Sequence, residues 1–398
     1  MNNHLFKLIW NRRKRNFVTS LGIFISFLVL FLVLVLIVKT MGNYVKPIGY
    51  ETDDLWFITF DWIDHTEDEI KETLLLVNQA LDMEPDIEEY AYSRAYIYSP
   101  MVMSATNLSY EDAALNCHIA WGDASLAEVL SIPLAQGVWF DQQTTPDLLE
   151  EPIVVTQMLV DDFFSDGIGV GKVLERGEDR FKIIGVIDEF RNGSKFSNSR
   201  RVIIRQMIHN ASTFTDLGES MGLRILLKVD GSLDADNEMK LIKKLKAIAS
   251  DWSFDVRELN SIKQSAALWT LVFPGILTII CIFMLVNVGL GLFGVIWYRT
   301  DRRKSEIGLR RALGAPAHKI YRQIIGEALV LTTFSLLWGS LFALQFPLLQ
   351  VIPDIETSTY MKAYLLAGLI IYIITFFCAL YPSRKATRIE PAMALHYE

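Results

Sequence analysis

RTDRRKSEIGLRRALGAPAHKIYRQIIGE, residues 299 to 327, stands between two apolar runs that are each long enough to cross a bilayer, and the rest of the chain is read outward from it. Its punctuation predicts a short helix. Ser305 is placed to cap the start, Glu306 falls in the first turn, Arg310 and Arg311 in the last, Gly314 just after the C-cap and Pro316 beyond it. At 100° per residue Leu309, Ala312 and Leu313 share one stripe with Gly308 at its edge, while Arg310 and Arg311 project elsewhere. From these residues alone two readings stay open. The arginines obey the positive-inside rule on a helix lying against anionic headgroups, or the helix docks a cytoplasmic partner.

Charge divides the chain around this loop. Residues 40 to 267 hold 20 Lys+Arg against 39 Asp+Glu, a net of −19, whereas the remainder holds 18 against 7, a net of +11. Hydrophobic residues make up 51% of the 398, and they are concentrated in runs. Residues 17 to 38 carry no charge and contain 18 Leu, Ile, Val or Phe; as a helix they span about 33 Å, enough for a hydrocarbon core of about 30 Å. The run is longer than a signal-peptide core and no small-x-small cleavage site follows it, so an uncleaved anchor is expected. Further spans are predicted over 268–297, 324–346 and 361–381. Basic residues flank the N-terminal segment 1–16, the loop 298–323 and the tail 382–398, and these are assigned to the cytoplasm. The short loop 347–360 has acidic residues but no Lys or Arg, and belongs outside with residues 39–267.

Within 39–267 strand-like and helix-like patterns alternate. Strands are expected over 55–60, 89–98, 181–187, 201–207, 223–229 and 254–258, with Ile153 to Val155 running into a short helix that ends near Phe164. Helices are expected over 67–81 and after a cap at Ser232 or Asp234, with Leu241, Ile242, Leu245, Ile248 and Trp252 on one side. The fold class is thus an integral membrane protein: four transmembrane α-helices with a large α+β extracytoplasmic domain between the first and second.

The order E-I-G-L-R-R-A-L-G-A, preceded by an arginine and followed by a helix with an early Glu327, closely resembles the cytoplasmic loop of the MacB/FtsX family, the type VII ABC-transporter permeases. Residues 381–395 (YPSRKATRIEPAMAL) are similar to that family's closing pattern. Residues 134–140, 152–164, 171–172 and 181–187 resemble pieces of its periplasmic core domain. Pro316 departs from the Ser or Thr expected there. The resemblance implies that Arg299, Glu306, Gly308, Leu309, Arg310, Arg311, Ala312, Leu313 and Gly314 form the helix that couples to an ATPase. It also implies an external domain of two lobes, one inserted in the other, and a permease working with a separate ABC ATPase subunit and a second permease subunit. For the export members it implies a periplasmic adaptor and an outer-membrane channel as well. The expected location is the bacterial cytoplasmic (inner) membrane, and the expected work is mechanical transmission to the external domain. A regulator of a cell-wall hydrolase within the same family is one alternative, and a receptor with a ligand-binding external domain another.

No catalytic constellation is found. Gly167 to Lys172 has the glycines of a phosphate loop but Asp166 and Val173 where the first glycine and the Mg-binding hydroxyl belong. Turn glycines are the plainer reading. Cys117-His118 has no second ligand pair at metal spacing, and Asp53, Asp54, Asp61 and Asp64, like Asp161 and Asp162, read as solvated acidic faces. A non-catalytic chain with no cofactor, no metal and no nucleic-acid partner is expected. Within the spans, Asn287, Gly291 and Gly294 suit close helix packing, and the shallow Glu327 is placed to pair with an arginine of the preceding loop.

Overall fold

The computed structural model describes residues 13–61, 65–94, 97, 104–141, 150–191, 193–207, 223–229, 235–352 and 355–387. The basic segment before residue 13, Asp64, the caps Ser232 and Asp234 and the closing motif after residue 387 lie outside them. The chain forms two compact units, Met1–Met41 with Val272–Glu398, and Gly42–Leu271.

In the second unit, β1 (Leu55–Asp61), α2 (Glu67–Asp82) and β2 (Ile87–Ser93) come first, and β10 (Arg224–Val229), α5 (Ala235–Ile248) and β11 (Ser253–Glu258) last. α1 is the preceding helix, Arg13–Val45. The four strands run β11-β1-β10-β2 and pair antiparallel, the order of a split β-α-β unit. Alternation along β1 sorts its side chains. Trp56, Ile58 and Phe60 face α2 and α5, packing on Ile70, Leu74, Val77, Leu241 and Leu245, while Leu55 and Phe57 face the opposite core. α2 begins with a capping box in which the Thr66 side chain bonds the Glu69 amide and Glu69 bonds the Thr66 amide.

Between β2 and β10 the chain builds a second lobe. Its strands are β3 (Ser104–Tyr110), β4 (Ala113–Gly122), β5 (Leu134–Gly137), β6 (Glu151–Thr156), β7 (Val173–Arg176), β8 (Asp179–Ile187) and β9 (Val202–Gln206), with the short helices α3 (Leu126–Val129) and α4 (Gln157–Phe163). The order β4-β3-β7-β8-β6-β9 closes on itself because β9 also pairs parallel to β4, from His118↔Val202 to Gly122↔Gln206. Closure leaves these six strands no open edge between them. Leu108, Cys117, Ile153, Val155, Phe181 and Ile183 fill one side with Leu159 and Val160 of α4. Among the described residues the lobe is joined to the first sheet by one strand pair, Ser93↔Gly122, and by a shared core containing Phe57, Leu126, Val154, Ile187 and Val202.

The first unit is helical. α1 continues through the run 17–38, and α6 (Leu259–Asp301) is one helix of 43 residues whose first turns belong to the other unit. After it come α7 (Lys304–Ala312), α8 (Ala317–Ala343), α9 (Gln345–Leu348) and α10 (Thr357–Thr387). Among the described residues four helices are long and apolar enough to cross a membrane. Ile23, Phe27, Phe31 and Val35 of α1 recur every four residues on one face, against Leu336 of α8 and Ala363, Ala367 and Ile371 of α10. Small and hydroxyl residues set these contacts. A Cβ on Gly339 would lie 2.5 Å from the Phe27 ring, and Ser20–Ser335 and Thr332–Thr375 hydroxyls pair at 2.7 and 3.0 Å.

Candidate functional site: the helix after the second span

α7 begins at Lys304, so Ser305 lies in its first turn and the capping place falls to Arg303, whose carbonyl accepts the Ile307 amide at 2.9 Å. The earlier start follows from α6 ending only at Asp301, which leaves two residues for the turn. The other end closes as its residues dictate. Gly314 takes φ +87° and the Ala315 amide reaches back to the Arg310 carbonyl at 2.9 Å, the six-to-one bond of a Schellman stop.

Which side of α7 is covered differs from the stripe read in the sequence. Ile307 is 6% exposed and packs on Ile320 and Ile324 of α8, and Gly308 is buried beside it. Leu309 and Leu313 are 51% and 80% exposed, and Ala312 is exposed with them. The short turn 313–316 folds α8 back along α7, so positions 303, 307 and 310 face it and 309, 312 and 313 do not.

A polar chain runs along the covered side. Arg303 Nη1 donates to both carboxylate oxygens of Glu327 at 3.0 and 3.1 Å, and Gln323 Nε2 donates to Glu327 at 3.3 Å. Arg310 donates to Gln323 at 3.2 Å and to Glu306 at 2.5 Å. Arg299 lies in the last turn of α6, half-buried, and the Arg311 side chain lies outside the described residues. Sequence reasoning missed Arg303, Ile307, Ile320 and Gln323. The signal was the spacing 303, 307, 310, which became a face only once the direction of α8 was known.

Among the described residues the close packing expected of Asn287, Gly291 and Gly294 is not made. Asn287 is exposed and its Nδ2 donates to the Phe283 carbonyl of its own helix at 2.8 Å. Added Cβ atoms on Gly291 and Gly294 would meet nothing within 4 Å, while one on Gly289 would touch Cys378 and Ile374 at 3.7 Å. α6 is the least covered of the four long helices, which leaves that face open.

The other motifs are structural. Around Gly167 and Gly171, both at positive φ, the amides of Gly171 and Lys172 bond to the Ile183 and Gly169 carbonyls, and Lys172 lies over the Phe164 ring. Those amides close a turn. Cys117 is fully buried and burial pushes its thiol up to about 12, whereas His118, next along the strand, projects to the other face against Arg200 at 3.2 Å. Asp162 pairs with Arg201 and Asp161 accepts Gln157. Among the described residues no group of three His, Cys, Asp or Glu is placed to hold a metal.

Four helices apolar enough to cross a membrane, a two-lobed α/β unit after the first of them and a braced helix after the second make up the described architecture. Residues 16–245 match the MacB-like periplasmic core domain and residues 277–391 the FtsX-like permease C-terminal region. The chain belongs to this MacB/FtsX-type family of ABC-transporter permeases. It is 25% identical to a macrolide export ATP-binding/permease protein MacB of Bradyrhizobium diazoefficiens over 97% of this chain and 58% of that one. It is also 25% identical to a MacB of Yersinia pestis over 77% and 45%. It thus spans about half the length of the curated relatives it matches. The crystallised periplasmic region of MacB from Actinobacillus actinomycetemcomitans aligns with a TM-score of 0.38 and 15% identity, over 56% of this chain and 96% of that one.

Proposed function

We propose that the chain is the permease subunit of an ABC exporter that works by mechanical transmission, with α7 as the input and the α/β unit, outside the cytoplasmic membrane, as the output. Both termini and the loop around α7 lie in the cytoplasm. ATP hydrolysis is assigned to a separate ABC ATPase subunit that grips α7.

The observation that carries this reading is the division of α7 into two sides. Ile307, Arg303 and Arg310 fix the helix to α8, while Leu309, Ala312 and Leu313 are left facing away. Braced apolar residues beside arginines suit a protein groove that must both bind and push. Two further assignments follow. A second permease copy, or a related chain, covers the open face of α6 with Asn287, Gly291 and Gly294, and a periplasmic adaptor with an outer-membrane channel carries the exported molecule onward.

The test is charge insertion on the exposed side. Leu309→Glu and Leu313→Glu abolish association with the ATPase and leave membrane insertion and the yield of folded protein intact. Undiminished association in both variants contradicts the assignment of α7.

A further inference from the structure

The second lobe is inserted far from the membrane helices in sequence, yet one of its loops holds the chain that leaves α1. Residues 188–201 join β8 to β9, and Arg191 within them is 1% exposed. Its guanidinium is spent on backbone carbonyls. Nη1 donates to Asn43 at 2.9 Å, Lys195 at 3.1 Å and Ser197 at 3.2 Å; Nη2 donates to Lys46 at 2.6 Å and also to Pro47; Nε donates to Pro47 at 3.2 Å. A buried cation is costly unless its donors are matched, and a planar fork with five N–H groups matches several carbonyls where a lysine ammonium has three donors at one point.

The surrounding contacts repeat the connection. The Arg191 amide bonds the Ile48 carbonyl at 3.1 Å, Tyr50 Oη donates to the Arg191 carbonyl at 2.7 Å, and Asn43 Nδ2 donates to Phe196 O and Asn198 Oδ1 at 3.2 and 3.0 Å. Tyr44 stacks on Phe196 with centroids 5.0 Å apart. On the other side of the loop Ser194, 1% exposed, meets Thr270 of α6 hydroxyl to hydroxyl at 2.9 Å. One loop of the inserted lobe therefore grips both the chain leaving α1 and the first turns of α6.

We infer that Arg191 is a positioning residue that makes the inserted lobe, as well as the sheet covalently joined to the helices, follow α1. This inference rests on the transmission proposed above. The covalent path delivers motion to β1 and β11, and that sheet meets the closed ring through the strand pair Ser93↔Gly122 and the shared core around Phe57, Val154 and Val202. Arg191 supplies a direct second path into β8 and β9. An anchor of backbone carbonyls holds whatever side chains the segment 43–47 carries.

The experiment is amide hydrogen exchange on the full chain in lipid nanodiscs, with its co-purifying ATPase, comparing Arg191→Lys and Ser194→Ala with the parent. Without nucleotide, Arg191→Lys raises exchange about tenfold or more in 43–50 and 189–199 while β1, β10 and β6 stay protected, which shows the fold intact. With a non-hydrolysable ATP analogue, the parent changes exchange in both lobes. Arg191→Lys retains the change in β1 and β11 and loses it in β8 and β9, and Ser194→Ala weakens it there. Nucleotide responses in β8 and β9 of Arg191→Lys equal to the parent overturn the inference, as does unchanged exchange in 43–50 without nucleotide. Absence of any ATPase overturns instead the transmission reading, and the nucleotide-free comparison then still decides whether Arg191 holds the two segments together.

Discussion

Arg303 and Glu327, 24 residues apart in sequence, meet across the α7–α8 hairpin, one guanidinium nitrogen donating to both carboxylate oxygens, with 25% and 19% of the two side chains exposed. The pair sits where α7 and α8 diverge, so it fixes the angle of the exposed Leu309 and Leu313. Removing one partner strands a half-buried charge. Glu327→Gln is expected to lower the stability of the purified protein by about 1–3 kcal/mol, and Arg303→Gln to do the same. In the double variant the losses fall short of their sum by about 0.5 kcal/mol or more, measured by tryptophan-monitored unfolding in detergent. Fully additive losses show that the pair contributes no coupling.

Gly314 tests the aim of α7 by a different route. Its φ of +87° suits glycine, tolerates asparagine and strains a β-branched residue, while the space around an added Cβ is open. Gly314→Asn should bind the ATPase nearly as well as the parent. Gly314→Val should lose most of that binding while still inserting in the membrane. Equal binding by the two variants detaches the helix stop from function.

Gly49 is constrained by contact as well as by φ. At φ +94° an added Cβ would stand 1.7 Å from the Glu189 carbonyl oxygen, at the root of the loop that carries Arg191. Gly49→Ala is expected to cost more than about 2 kcal/mol and to lower the yield of folded protein sharply. Folding yield and thermal stability equal to the parent contradict the close approach.

The pH response of the α/β unit should carry the signature of His118. Burial, with the charge of Arg200 at 3.2 Å, holds its pKa below the ordinary 6.5. The unfolded chain therefore takes up a proton at a higher pH than the folded one. The stabilisation is complete above about pH 6.5 and is lost as pH falls below it toward the folded value. Unfolding of the full chain followed at pH 7.5 and 5.5 should show a drop that His118→Gln reduces. An identical drop in that variant assigns the acid sensitivity elsewhere.

The membrane helices and the helix stop at Gly314 were legible because each rests on local chemistry: uncharged apolar runs, and a glycine followed by proline. The split β-α-β sheet was half legible, since β1, α2, α5 and β11 alternate cleanly. The hairpin of β3 and β4 was not. Its SATNLSY strand carries few apolar residues, and Leu108 alone among them is fully buried. Ring closure through β9 and β4 depends on partners 84 residues apart at His118 and Val202, which no local pattern encodes. The face of α7 that α8 covers was not legible for the same reason. Leu309, Ala312 and Leu313 are the more apolar stripe, yet the direction of α8 selects Ile307. Arg191 gave no signal at all, because its partners are backbone carbonyls.

The central claim is that an ABC ATPase engages this chain through α7. Its most direct test is affinity purification of the tagged full chain from native membranes in mild detergent, with mass spectrometry of the associated proteins. The account predicts an ABC ATPase in near-stoichiometric amount, lost from Leu313→Glu. Intact extraction with no ATPase present, with or without nucleotide, contradicts it.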